Sequence, residues 1–236
     1  MLPLSRLYCA IDTPDFDQAL HLIRQVRPWF QGIKLGMEFY MRFGNAGILQ
    51  AISIAGPESA LFLDLKLHDI PNTVAGATAA LMPLNPEFLT IHTAGGHDMI
   101  KAAADTVKDH KTKILGVTLL TSLSDEDISC FSSYSIKDMV RRLAAPAIKA
   151  GCHGLVCSPH EVEILRAEFG SDVILMVPGI RPEGSVADDQ KRVMTPQQAI
   201  KAGADHLVIG RPVTRAEDPA KAAENIAGSL DNARAA

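Results

Sequence analysis

Short, nearly unbroken apolar runs recur along this chain, and longer stretches of mixed polarity separate them. The runs fall at 7–11, 32–35, 60–65, 88–92, 114–118, 154–157, 173–177 and 206–209. Each is of strand length, rich in Val, Ile, Leu and Phe, and too apolar for a strand with one solvated face. The intervening stretches show helical spacing. In 15–26, Phe16, Leu20, Ile23 and Val26 share one face. Several stretches carry helix-start signals. Thr13-Pro14 precedes the first, Thr195-Pro196-Gln197-Gln198 reads as a capping box with proline at the first helical position, and Asp218-Pro219 opens the last. Eight strands alternating with helices in 236 residues predict an α/β protein, a (β/α)8 TIM barrel forming a single domain over 1–236, near the ~250 residues usual for that fold. An open doubly wound sheet is the rival. It ranks lower because no glycine-rich dinucleotide turn follows the first run.

Composition narrows the function classes. The chain is 47% hydrophobic and 21% charged, enough for a full core. A net charge of −4 gives no basic footprint for nucleic acid. No apolar run approaches the roughly 20 residues of a membrane span. Met1-Leu2-Pro3-Leu4-Ser5-Arg6 shows no signal-peptide pattern, so a cytoplasmic location is expected. The four cysteines, Cys9, Cys130, Cys152 and Cys157, match no redox or zinc spacing and read as reduced thiols. Cys152-His153 with Cys157 and His160 could suggest zinc, but Cys157 ends an apolar run, where buried free cysteine is common.

The richest segment is Phe62-Leu63-Asp64-Leu65-Lys66-Leu67-His68-Asp69-Ile70-Pro71-Asn72-Thr73. In a strand, residues two apart share a face, so Asp64 and Lys66 point one way while Leu63, Leu65 and Leu67 point the other. Asp69 follows just past the strand, and Pro71 blocks its continuation. An acid, a base and a second acid therefore stand where a strand leaves the core. In a barrel the C-terminal strand ends form the active face. Here those positions hold Asp12, Lys34, Asp64 with Lys66, His92, Thr118 to Thr121, Ser158, Pro178-Gly179 and Gly210-Arg211. Any one of them could be a solvated loop residue. As a set, charges at buried strand ends need partners, and these can find each other.

Two features indicate a phosphate. Barrels often bind one between the loops after the seventh and eighth strands. The eighth loop reads Ile209-Gly210-Arg211-Pro212, with a glycine for close backbone approach and a forked donor. The seventh runs from Pro178 to about Met194 and carries Arg181, Glu183, Gly184, Asp188, Asp189, Gln190, Lys191 and Arg192. Its length and its Pro-Gly root suggest a hinged flap.

With these residues in place, the chain resembles the orotidine 5′-monophosphate decarboxylase family of pyrimidine synthesis. The likeness runs from the first strand to the last. It rests on Lys34-Leu35-Gly36-Met37-Glu38, on the run from Asp64 to Thr73, on Leu120-Thr121-Ser122, Pro178-Gly179-Ile180-Arg181-Pro182 and Asp189-Gln190, and on Ile209-Gly210-Arg211-Pro212. The resemblance implies conversion of orotidine 5′-monophosphate to uridine 5′-monophosphate without cofactor or metal, in a homodimer with shared sites. It implies that Lys66 donates the proton, within an alternating network of Lys34, Asp64, Lys66 and Asp69. Asp69, Ile70 and Thr73 would reach the partner's site. Asp12 and Lys34 would hold ribose hydroxyls, Thr121 the pyrimidine, and Arg181, Gln190, Gly210 and Arg211 the phosphate.

Two rivals stand beside this. A Mg2+-dependent sugar-phosphate decarboxylase or aldolase of the same superfamily shares the Asp-x-Lys-x-x-Asp core, but it has an acidic residue where this chain has Lys34, and a cation there opposes a bound divalent metal. A non-catalytic phosphate-ligand-binding barrel would use the ions for structure alone.

Overall fold

The computed structural model describes residues 6–182 and 194–232. Eight parallel strands close into a barrel in sequence order: β1 (Leu7–Ala10), β2 (Gly32–Gly36), β3 (Ala60–Leu67), β4 (Phe88–His92), β5 (Lys113–Val117), β6 (Gly154–Val156), β7 (Ile174–Val177) and β8 (His206–Ile209). The circle closes where Leu7 pairs with Leu207 and Cys9 with Ile209. Around it run α1 (Phe16–Val26), α2 (Met37–Ala55), α3 (Pro71–Leu81), α4 (Gly96–Val107), α5 (Asp125–Ile128), α6 (Ile136–Lys149), α7 (Val162–Phe169), α8 (Pro196–Ala202), α9 (Arg211–Thr214) and α10 (Pro219–Asn232). The (β/α)8 barrel expected from the apolar rhythm is the observed fold. No helix among the described residues is long and apolar enough to cross a membrane.

Strand alternation separates two cores. Tyr8, Ala10, Phe62, Phe88, Leu115, Val117, Val156, Met176 and Val208 fill the barrel interior. Their sequence neighbours, including Leu7, Cys9, Leu61, Leu63, Leu89 and Leu207, pack outward against the helices. Both faces are buried, which is why the runs read as continuously apolar.

The helix signals act as their chemistry requires, with one shift. Thr195 Oγ1 accepts the Gln198 N–H (3.3 Å), and Gln198 Oε1 accepts that of Thr195 (3.0 Å). The Asp218 carboxylate accepts the Lys221 N–H at 2.9 Å. In α1, however, the cap is Asp15, which accepts the Gln18 N–H at 2.9 Å; Thr13 lies two residues upstream and contacts the Gln18 side chain. Both Thr13 and Asp15 are capping types, and Pro14 stands between them, so local sequence does not choose.

Candidate active site

Strands β2 and β3 build the centre of the site. Their register sets Lys34 beside Phe62 and Gly36 beside Asp64. Lys34 extends between two carboxylates, with Nζ 3.0 and 3.3 Å from the Asp12 oxygens and 3.5 Å from Asp64 Oδ2. Asp64 Oδ1 in turn lies 2.8 Å from Lys66 Nζ. The result is an alternating row, Asp12–Lys34–Asp64–Lys66. Gly36 makes room for it. A Cβ there would lie 3.1 Å from both Asp12 Oδ1 and Lys34 Nζ, tighter than an ordinary contact.

The middle of the row is more buried than its two ends. The Lys34 side chain is 9% exposed, that of Asp64 14%, Lys66 29% and Asp12 52%. Burial opposes the Lys34 charge, yet Asp64 and Asp12 outweigh it and hold its pKa above the usual lysine value. Asp64 shows the converse. Burial would raise its pKa, but the Lys34 and Lys66 charges, with hydrogen bonds from Lys66 and Thr90, hold it below the ordinary carboxylate value.

The strand carrying Asp64 and Lys66 is not regular. β3 extends to Leu67, two residues past the expected end, and its pairing with β4 shifts register between Leu63 and Leu67. Lys66 sits there with φ of 50°, in the left-handed region. That conformation costs a side-chain-bearing residue about 1–2 kcal/mol. Simple alternation is therefore only part of why Lys66 faces the mouth. At this irregularity Thr90 Oγ1 accepts the Lys66 N–H at 2.9 Å. The same hydroxyl donates to Asp64 Oδ1 at 3.0 Å. Thr90 is fully buried. Alternation in Phe88-Leu89-Thr90-Ile91-His92 places this lone hydroxyl on the inward face, but a single strand threonine carries no functional pattern in the sequence.

Beside the row opens a cavity of about 550 Å3. Asp12, Lys34, Asp64 and Lys66 line it on one side, Thr121 on another, and Arg181, Gly210 and Arg211 at the β7 and β8 ends. Arg181 is almost buried, its guanidinium donating to the Ile180 carbonyl at 3.0 Å. Arg215, unremarked in the sequence, also lines this end. It follows Arg211 by four residues, the spacing that would have flagged it.

Other expected residues fall elsewhere. His92, Thr118 and Ser158 do not line the cavity. Thr118 and Ser158 are buried at their strand ends. His92 packs against His68, with ring centres 5.4 Å apart, and burial together with His68 and Lys66 lowers its pKa. Asp69, Ile70 and Thr73 are exposed on the outside of this single chain. Asp69 Oδ1 accepts the Ile70 N–H at 2.7 Å and does not join the row. Of the seventh loop, the ends are described. Ile180 bridges Met194, and the Arg181 N–H donates to the Met194 carbonyl at 3.0 Å. Gln190, with Glu183, Gly184, Asp188, Asp189, Lys191 and Arg192, lies outside the described residues.

Among the described residues no group of three or more His, Cys, Asp or Glu side chains is placed to hold a metal ion. Asp12 and Asp64, the two carboxylates of the row, are bridged by the Lys34 ammonium.

Fold and site together define a class: a (β/α)8 barrel enzyme with an acid–base row at the strand ends and arginines lining the same cavity where β7 and β8 end. The chain belongs to the Orotidine 5'-phosphate decarboxylase / HUMPS family, whose model matches residues 5–226. Among curated relatives, the Orotidine 5'-phosphate decarboxylase of Thermobifida fusca (strain YX) is 49% identical over 222 residues, covering 94% of each chain. That of Rhodospirillum rubrum is 46% identical over 232 residues, covering 95% of this chain and 93% of the relative. Among solved structures, Orotidine 5'-phosphate decarboxylase from Lactobacillus acidophilus superposes with a TM-score of 0.82 at 33% identity, covering 96% of this chain and 99% of that one.

Proposed function

We propose that this chain is a carboxy-lyase that converts orotidine 5'-phosphate to uridine 5'-phosphate and CO2, a step of pyrimidine nucleotide synthesis. The observation that carries this reading is the row Asp12–Lys34–Asp64–Lys66 lining a cavity that Arg181 and Arg211 also line, at the β7 and β8 ends. A phosphate bound by Arg181, Gln190, Gly210 and Arg211 would fix one end of the nucleotide. Asp12 and Lys34 would hold the ribose, and Thr121 the pyrimidine. The C6 carboxylate would then lie beside Asp64 and Lys66.

In the reaction the C6–carboxylate bond breaks, its electron pair stays on C6, and CO2 leaves. The Lys66 ammonium stabilises that pair as it develops and then protonates it, so no external reductant or electron sink is required. Repulsion between Asp64 and the substrate carboxylate is a minor share. Two unit charges ~4 Å apart interact by about 4 kcal/mol at an effective dielectric near 20, against the roughly 8–23 kcal/mol that enzymes remove from barriers. Preorganised stabilisation by Lys66 carries more. Phosphate binding, remote from C6, supplies energy that orients the reacting end.

The exposed Asp69, Ile70 and Thr73 support a homodimer in which they complete the neighbour's site. Ile70 is 68% exposed, and Met37 and Met41, which follow the adjacent strand, are 47% and 76% exposed. Large apolar side chains left uncovered at this end fit a covered face in the assembly.

An ultraviolet assay with orotidine 5'-phosphate tests the proposal directly. Turnover should survive exhaustive chelation, and orotidine without its phosphate should be a far poorer substrate. Binding without turnover would instead mark a non-catalytic nucleotide-binding barrel. Activity only with Mg2+ and a sugar phosphate would mark the superfamily rival, which the Lys34 bridge disfavours.

A further inference from the structure

Thr90 belongs to no part of the substrate cavity, yet its hydroxyl is spent on two groups of the reacting end. It accepts the Lys66 N–H at 2.9 Å and donates to Asp64 Oδ1 at 3.0 Å. The two roles are coupled, because a hydroxyl has one proton and accepting from Lys66 leaves that proton for Asp64. The β3–β4 register shift falls at Lys66, whose backbone is left-handed. Thr90 is completely buried, so bulk water has no access to replace it. Asp64 Oδ1 also receives Lys66 Nζ at 2.8 Å, while Oδ2 faces Lys34. One hydroxyl thus meets the backbone of the lysine and the carboxylate that directs its ammonium.

We propose that Thr90 is a positioning residue for the decarboxylation: its hydroxyl holds the Lys66 backbone in the left-handed conformation and sets the rotation of the Asp64 carboxylate, thereby aiming Lys66 Nζ into the cavity. The inference rests on the role assigned to Lys66 above. Thr90 touches no substrate; it acts through two neighbours.

The test compares Thr90→Val, which keeps the shape and loses the hydroxyl, with Thr90→Ser, which keeps the hydroxyl. In Thr90→Val kcat should fall about 10²-fold, as for a catalytic group displaced by about an ångström, while KM stays within about threefold. Thr90→Ser should restore kcat to within about fivefold of wild type. The Asp64 carboxyl, followed by carbon NMR, should titrate at higher pH in Thr90→Val and return in Thr90→Ser. A purely structural residue would lower the melting temperature without moving kcat or the Asp64 titration, and that result overturns the proposal. So does a loss that serine fails to restore. If wild type does not decarboxylate orotidine 5'-phosphate, the functional reading fails, while the Asp64 titrations still decide whether Thr90 sets the carboxylate. Should Thr90→Val not fold, amide exchange in the wild type decides: the Lys66 N–H should be strongly protected, and rapid exchange would refute the contact.

Discussion

The two ends of the barrel are built from the same inward-facing rows and carry opposite chemistry. At the N-terminal end the interior is aromatic. The Tyr8 ring meets Phe62 at 6.0 Å, Phe88 at 5.7 Å and His206 at 5.6 Å, all edge-on. Gly32 permits this, since a Cβ there would lie 2.7 Å from the Tyr8 ring. Tyr8 Oη donates to Glu87 Oε2 at 2.7 Å, and burial first, then Glu87, pushes its phenol pKa far up. Two residues further along the same strands, Phe62 gives way to Asp64 and Phe88 to Thr90. The aromatic end satisfies one carboxylate with neutral donors and closes. The ionic end alternates four charges and opens on a cavity. Both ends hold polar groups in the barrel, so polarity alone does not mark a site. What separates them is a row of mutually paired charges beside space for a ligand.

The largest expected effect falls at the ionic end. Lys66→Ala should cut turnover by at least about 10⁴-fold, since one ammonium serves as both charge stabiliser and proton donor. Circular dichroism should show an intact fold, and near-normal turnover would remove the distinction between the ends. Next comes Lys34→Met. It strands Asp64 and Asp12 without their shared cation, and removing one partner of a buried pair costs about 3–5 kcal/mol, the lower end applying here because Asp12 is half-exposed. Urea unfolding measures this, and an unchanged midpoint would mean the row is energetically idle.

Tyr8→Phe, at the closed end, should cost about 1–2 kcal/mol for the lost hydrogen bond to a carboxylate while leaving kcat unchanged. A drop in kcat would show that the two ends are coupled.

The smallest effect is in pH dependence. Burial holds His206 below its usual 6.5, with Arg6 and Lys113 adding to that and Glu87 and Asp205 opposing it. Its neutral form is favoured in the fold, so stability is full above about pH 6.5 and declines as pH falls from there towards the folded value. Asp64, held below 3.8, contributes stability that is lost only as pH falls beneath about 4. Lys34, held above 10.5, contributes until pH rises past that value. Acidification should therefore reach the closed end first. Unfolding free energies between pH 7 and 5 should slope less in His206→Gln than in wild type; equal slopes would place the sensitivity elsewhere, His92 and His153 being the other histidines that burial holds low.

The barrel was legible because strands buried on both faces leave apolar runs that no other element of that length leaves. Strand boundaries moved by at most a single residue except at Leu67, where the β3–β4 register shift carries β3 two residues further. The ionic row was legible in part. Asp64 and Lys66 announced themselves by alternation, and Lys34 by standing at the next strand end. Thr90 did not, because a threonine in a strand is ordinary, and its significance depends on a register shift in the neighbouring pair. The left-handed Lys66 was hidden for the same reason: nothing in Leu65-Lys66-Leu67 favours positive φ.

By itself, the sequence determined the strand count, the barrel, the ends where charge collects and the family likeness, since each depends on residue type and spacing along one element. Tertiary structure alone decided which charges touch. It placed the Lys34 ammonium between Asp12 and Asp64, gave Thr90 its two partners, and left Asp69 outside the row of its own chain. Ion pairing and hydrogen bonding fall off within a few ångströms, and distances that short between residues far apart in the chain are set only when the barrel closes.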